Sequence, residues 1–404
     1  MNITKYKKLN LFFFGIQTIF ITALIIACNN TLNNPKISLP VNKVCIQNFN
    51  PNTDYFPTKA SINHATGFAV EYHNNYKVVT VKNPWRDAKR GFKYVLVECG
   101  TPVPLGFKRN QVITVPVNTV VSLSTTHLPH LAKLGIVDKL LGISNYKTVN
   151  TPEVVEKIKA GQIAELGNNN VNLERLLELN PELVTTYGTG NPQVDNHSKF
   201  LEAGLKVAIN AEYMETSPLG RAEWLKFTAL FFNKEDIAEK EFSEIAKKYQ
   251  DIAETVKSIK KRPKVFTGFN FKGTWYTPGC KSYAAKYLAD AGADYFCAEN
   301  SSGSTPLSFE NVFERAATAD YWLNVSQSWQ TLKDVITEDS RYGDFQAVKK
   351  GNVYNNNARL NENGGNDYWE GGISNPNLVL ADLIKIFHPE LLPNHKLVFY
   401  QNLN

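Results

Sequence analysis

Between residues 217 and 261 the chain carries no strand signal, yet Ala238, Phe242, Ile245, Tyr249, Ile252, Val256 and Ile259 recur at spacings that alternate between four and three. That pattern is one apolar stripe on a helix of about seven turns. The other faces of this helix are rich in Lys and Glu. On either side of it, short apolar runs alternate with helical periodicity. A long amphipathic helix set between two such halves serves as a strut joining two α/β lobes, whereas an ordinary surface helix of one lobe is the alternative that the spacing leaves open.

The first half shows strands at Val120–Leu123, Leu140–Ile143, Leu183–Thr186 and Leu205–Ile209, with helices at Leu128–Leu134, stopped by Gly135, and at Leu173–Leu179. The same grammar restarts at Pro263. Strands are expected at Lys264–Gly268, Tyr321–Val325 and Asn352–Tyr354, and helices at Tyr283–Ala291, Phe309–Ala316 and Leu378–Phe387, the last stopped by Pro389. Short apolar strands separated by helices imply a mostly parallel sheet covered on both faces. Ahead of both halves, residues 66–98 alternate in β-forming runs (Phe68–Tyr72, Tyr76–Val81, Tyr94–Val97), with Asn74-Asn75 as a hairpin signal. The fold class is therefore α/β: two Rossmann-like lobes with central, mostly parallel sheets, joined by a single long helix and preceded by a small β-rich extension. The divisions are 1–27 leader, 28–42 tether, 43–110 extension, 111–216 first lobe, 217–261 connecting segment and 262–404 second lobe.

The leader is read from Lys5, Lys7 and Lys8, which precede a mostly apolar run from Leu11 to Ala27. A membrane span needs about 20 apolar residues, and Gly15, Gln17, Thr18 and Thr22 dilute this shorter run. A basic start, an apolar middle and a small residue at the cut describe a secretory signal. Cys28 directly after Ala27 resembles a bacterial lipoprotein box, which implies lipidation of that Cys and a hold on the membrane through acyl chains. An uncleaved anchor helix with a chance Cys is the alternative. Four cysteines then remain. Export permits disulfides, and three connectivities are available; pairing within each half, Cys45 with Cys99 and Cys280 with Cys297, is the simplest, and buried free thiols are the other arrangement.

The formal net charge is +6, and losing the three leader lysines halves it. Such a weak balance argues against a charge-driven nucleic-acid binder. The chain has no Gly-x-Gly-x-x-Gly, Walker loop, His-Glu-x-x-His or Cys-x-x-Cys, so several common enzyme classes lose their usual support. No residue set reads as catalytic, no cofactor is implied, and no spacing marks a metal site.

Val120-Val121-Ser122-Leu123-Ser124-Thr125-Thr126-His127 resembles the opening strand and turn of the periplasmic binding proteins for iron-siderophores, haem and cobalamin. Asn172 to Val184, with its Asn-Leu-Glu start and Asn-Pro-Glu-Leu-Val end, resembles a first-lobe segment of that family, and Ser308-Phe309-Glu310 followed by Ala319-Asp320-Tyr321 resembles its second-lobe counterpart. The resemblance covers about 111–400 and leaves 43–110 unplaced. It implies two lobes joined by one long helix, a monomer that captures a small metal-chelate ligand, and delivery to the permease of an ABC importer. It also implies that Glu174 and Glu310, each at the second position of a helix, dock into Arg pockets of the permease. A carboxylate there equally well stabilises its own helix dipole, by about 0.3–1 kcal/mol.

In parallel α/β sheets, ligands sit beyond the carboxyl ends of the strands. Those ends carry Ser124, Thr125, Thr126 and His127, then Asn145 and Tyr146, then Tyr187 in the first half. In the second they carry Asn270, Phe271, Trp275 and Tyr276, then Arg359, then Tyr368, Trp369 and Glu370. Facing aromatics suit a large flat or greasy ligand, and Arg359 suits a ligand carboxylate or catecholate oxygen. A lipoprotein hydrolase on the same scaffold, or a sensor or scavenger independent of any transporter, are the competing functions.

Overall fold

A computed structural model describes residues 44–168 and 170–404. The leader, the tether and Cys28 lie outside the described residues.

In the first lobe five parallel strands are ordered Ala164–Glu165, Leu140–Ile143, Val120–Ser122, Leu183–Thr186, Val207–Ile209. All four residues of Leu140–Ile143 and of Leu183–Thr186 are buried, as a sheet covered on both faces requires. The expected strands are present with ends shifted by a residue or two. Helix Pro152–Lys159 was not anticipated, although Thr151 before a Pro at the first helical position is a start signal.

The second lobe repeats the plan: Asp294–Tyr295, Lys264–Thr267, Tyr321–Leu323 and Val353–Asn355 run parallel, and Gln401–Asn402 closes the edge antiparallel. Helices Tyr283–Asp290, Phe309–Ala316 and Pro376–Phe387 cover it. A three-stranded antiparallel meander, Asn270–Phe271, Thr274–Pro278 and Ser304–Leu307, stands at the carboxyl end of Lys264–Thr267.

Two helices, rather than one, join the lobes. Pro218–Leu230 is buried along all thirteen residues, so it carries no amphipathic period for a sequence to reveal. Asn233, at a positive φ of 51°, then turns the chain into Glu235–Glu254. The predicted stripe faces inward on this second helix: Ala238, Phe242, Ile245 and Tyr249 are buried, and Val256 is buried just past its end. The two helices belong to both cores. Trp224, Phe227 and Ala238 pack with the first lobe, and Leu219, Phe242 and Tyr249 pack with the second.

The N-terminal extension is a sheet of Phe68–Tyr72, Tyr76–Val81 and Phe92–Glu98, with Val112–Val115 added parallel as a fourth strand. That strand starts beyond residue 110, so the extension reaches further than its sequence boundary. Phe68, Val79, Val81 and Leu96 share one core with Val120 and Leu183 of the first lobe. Charges on the connecting helices pin the sheet down. The fully buried Lys77 donates to Glu235 at 2.6 Å and to the Leu230 carbonyl at 2.7 Å. Glu223 accepts from the amides of Asn63, His64 and Ala65, and Glu215 from those of Thr66 and Gly67. These contacts satisfy donors that a strandless entry segment would otherwise leave open. Cys45 pairs with Cys99 and Cys280 with Cys297.

Candidate ligand cleft

The carboxyl ends of the first-lobe strands converge on a cavity of about 330 Å³. Ser124 and Thr125 follow Val120–Ser122, Ser144 follows Leu140–Ile143, and Tyr187 follows Leu183–Thr186; all four line it. Tyr187 is 42% exposed, a large ring left half in water at the cavity wall. Opposite, Asp195 folds the following loop back. Its carboxylate accepts from the amide of Thr189 at 2.7 Å, from the Thr189 hydroxyl at 2.8 Å and from the amide of Gly190 at 2.8 Å. Ser124 and Thr126 share a hydroxyl hydrogen bond of 2.9 Å. Ser144, Thr148 and Asp195 had no distinguishing sequence signal, because the loops that bring them together are irregular.

A second cavity of about 730 Å³ lies between the lobes. The first lobe contributes Thr189 and Tyr213, and the second Pro278, Ser282 and Ser304. The Tyr213 hydroxyl donates to the Gly188 carbonyl at 2.5 Å, which ties the wall of this cavity to the loop after Tyr187. Among the described residues no cluster of three or more His, Cys, Asp or Glu is placed to hold a metal ion.

Several residues expected at the cleft lie in the interior instead. His127 is 3% exposed, and His130 one turn on is 1% exposed. Burial lowers each imidazole to about 3, so both are neutral. His130 bonds the Thr228 hydroxyl at 3.0 Å, while His127 faces a small apolar void beside Phe227 and Phe231. Trp275 is fully buried. Its indole N–H donates to the Thr267 carbonyl, and its ring stacks on Trp322 and lies tilted against Phe266. The reason is strand parity: successive side chains point to opposite faces, so Trp275 and Thr277 turn inward and Tyr276 turns out, 49% exposed. Phe271 is likewise exposed. Tyr368 packs into the second-lobe core with its ring against Phe399 and Tyr400, leaving its neighbour Trp369 on the surface.

Asn145 and Tyr146 serve local structure. The Asn145 side chain accepts from the amide of Lys147, and the Tyr146 hydroxyl donates to the Ile163 carbonyl. The Arg359 guanidinium is paired with Asp367 at 2.7 Å. In the same segment Glu370 reaches across to the first lobe. It accepts from the amides of Asn150 and Thr151 at 3.0 and 2.9 Å and from the Thr151 hydroxyl at 2.7 Å, at the start of helix Pro152–Lys159. Burial raises its carboxyl to about 7.

Glu174 and Glu310 both occupy the first turn of their helices, which are capped by Asn172 and Ser308. Both are exposed. Glu310 lies 3.6 Å from Arg341, whose guanidinium is mainly engaged by Asp339. Helix Leu173–Leu179 follows Ala164–Glu165 of the first-lobe parallel sheet, whereas helix Phe309–Ala316 follows Ser304–Leu307 of the meander and leads into Tyr321–Leu323 of the second-lobe sheet.

Residues 120–360 match the periplasmic binding protein family. An uncharacterized lipoprotein of Methanocaldococcus jannaschii is 28% identical over 426 aligned positions, covering 96% of this chain and 95% of its own. Among solved structures, a periplasmic binding protein from Veillonella parvula superposes with a TM-score of 0.57 at 16% identity, covering 77% of this chain and 98% of its own. A possible iron-binding, periplasmic solute-binding protein from Staphylococcus epidermidis gives 0.53 at 19% identity, covering 67% and 98%. The family match takes in more than half of the chain and both parallel sheets, and with two lobes enclosing a cleft at their strand ends, the chain belongs to the periplasmic binding protein family.

Proposed function

We propose that this chain is the substrate-binding lipoprotein of an ABC importer and captures a metal chelate between its lobes: an iron-siderophore first, then haem or cobalamin. The observation that carries the reading is the cleft of about 730 Å³ lined from both lobes and lying beside a cavity at the first-lobe strand ends. The half-exposed ring of Tyr187 at the first-lobe cavity and the rings of Trp85 and Tyr213 at the interlobe cavity support a large, partly aromatic ligand. The solved relative described as possibly iron-binding supports an iron ligand. Glu174 and Glu310 dock on the permease, and a lipid on Cys28 keeps the protein at the membrane where that permease lies. Binding to this site needs no bond chemistry.

The test is a titration of the protein's tryptophan fluorescence with ferric siderophores, haem and cobalamin. Trp85, which lines the interlobe cavity, is the reporter, since Trp275 is sealed in the core. Saturable quenching at micromolar concentration or below by one probe is the expected result. Silence across all three classes would sink the ligand assignment.

A further inference from the structure

Lys82–Gly91 connects the second and third strands of the N-terminal extension, Tyr76–Val81 and Phe92–Glu98. Instead of closing as a tight hairpin, this segment runs over the cleft and touches both lobes. On the first-lobe side Trp85 lies on the loop that follows Tyr187. A Cβ placed on Gly188 would come within 2.5 Å of the indole, and one on Gly190 within 2.6 Å. The ring is held there against Phe92 and His197 at centroid distances of 5.8 and 5.5 Å. On the second-lobe side the Arg86 guanidinium lies against Gly303, where a Cβ would fall 1.8 Å from its nitrogen. Gly303 is presented by a loop laced to the Cys280–Cys297 disulfide: the Gly279 amide donates to the Gly303 carbonyl, and the Cys280 amide to Glu299. Both Trp85 and Arg86 line the interlobe cavity.

Arg86 is the cation that lines this cavity among the described residues. Arg86 is exposed and makes no ion pair among the described residues. Two carboxylates line this cavity with it: Asp87, the next residue and exposed, and Glu215, which is committed elsewhere. Glu215 accepts from Thr66, Gly67 and the Trp224 indole, and Asp195, behind Thr189, accepts from Thr189 and Gly190. The same segment carries Lys82, Lys89 and Arg90 against the single acid Asp87, and all four are exposed. A planar fork with five donors over a cavity, free of a protein partner, is matched to an oxyanion.

The geometry points to Lys82–Gly91 as a strap across the mouth of the cleft, with Arg86 as the residue that binds an anionic edge of the ligand: carboxylate or catecholate oxygens that the two lobes leave facing outward. Trp85 positions the strap on the first lobe. Gly188, Gly190 and Gly303 are the places where it needs backbone without side chains. This inference rests on the reading of the chain as a ligand-capturing importer component and adds the charge class of the ligand.

Three probes test it on the full chain in detergent: a trianionic ferric tricatecholate, haemin with its two carboxylates, and a neutral ferric trihydroxamate. One of the anionic probes is expected to bind the wild type. Arg86→Gln should then weaken that probe about ten- to a hundredfold, the loss of a charged hydrogen-bonding partner, and Arg86→Lys should recover part of the loss. Because Arg86 is exposed and unpaired, the unfolding midpoint should stay in place. Undiminished affinity in Arg86→Gln, or a wild type that takes only the neutral probe, overturns the strap's role and leaves the importer reading standing. A wild type that takes none of the three overturns the strap inference, and the ligand reading then stands or falls on the cobalamin arm of the fluorescence titration.

Discussion

Two histidines show how far a residue's role depends on its neighbours. His127 follows an opening strand and turn that resemble a ligand-binding family, yet it is closed into an apolar void, and His130 is held by Thr228. Both imidazoles lie near 3 in the folded chain, against an ordinary value of 6.5. Between those values the unfolded chain binds protons that the folded chain excludes, so stability rises with pH through this window and is lost as pH falls below about 6.5. Each histidine contributes a slope of up to about 1.4 kcal/mol per pH unit. Urea unfolding at pH 7.5, 6.0 and 5.0 should therefore show the wild type falling more steeply than a His127→Gln/His130→Gln variant. Parallel profiles for the two would show that the burial does not hold the rings neutral. Trp275 and Tyr276 teach the same lesson through parity: one residue of offset moves a ring from the aromatic core to the surface.

At the scale of elements, a segment of the second lobe is bonded into the first. Glu370 caps the start of helix Pro152–Lys159, and Asn361 donates to the carbonyls of Lys147 and Val149, both at 3.0 Å. A buried carboxylate accepting two amides and a hydroxyl leaves all three donors open when it is removed. Glu370→Ala is expected to cost about 2–3 kcal/mol in urea unfolding, and amide exchange at 150–151 should accelerate with it. A loss below half a kcal/mol would mean that water replaces the carboxylate freely. Pro218–Leu230 makes the complementary point. It was not read from the sequence because burial on every side removes the polar face that periodicity depends on. Glu235–Glu254, with one face in solvent, was legible.

For the whole molecule, function depends on two lobes presenting paired features at a distance. If Glu174 and Glu310 each enter one Arg pocket of a permease, the two contacts act together to set register. Glu174→Lys/Glu310→Lys should abolish uptake in cells while leaving ligand affinity in the titration unchanged. Uptake at the wild-type rate would refute docking through these residues, and a parallel loss of affinity would place them in the ligand site instead. Legible in the chain alone are the alternation of strands and helices, the inward stripe on Glu235–Glu254, the first turns that carry Glu174 and Glu310, and the three-stranded start of the extension. Each of these is a local pattern, written by the period of one element and the chemistry of its ends. The assembled fold sets which aromatics reach the cleft, that Glu370 clamps the first lobe, and that Lys82–Gly91 crosses to Gly303. Those depend on which side of a strand a residue falls and on which distant loop meets it, and neither is encoded in the residue's own neighbourhood of the chain.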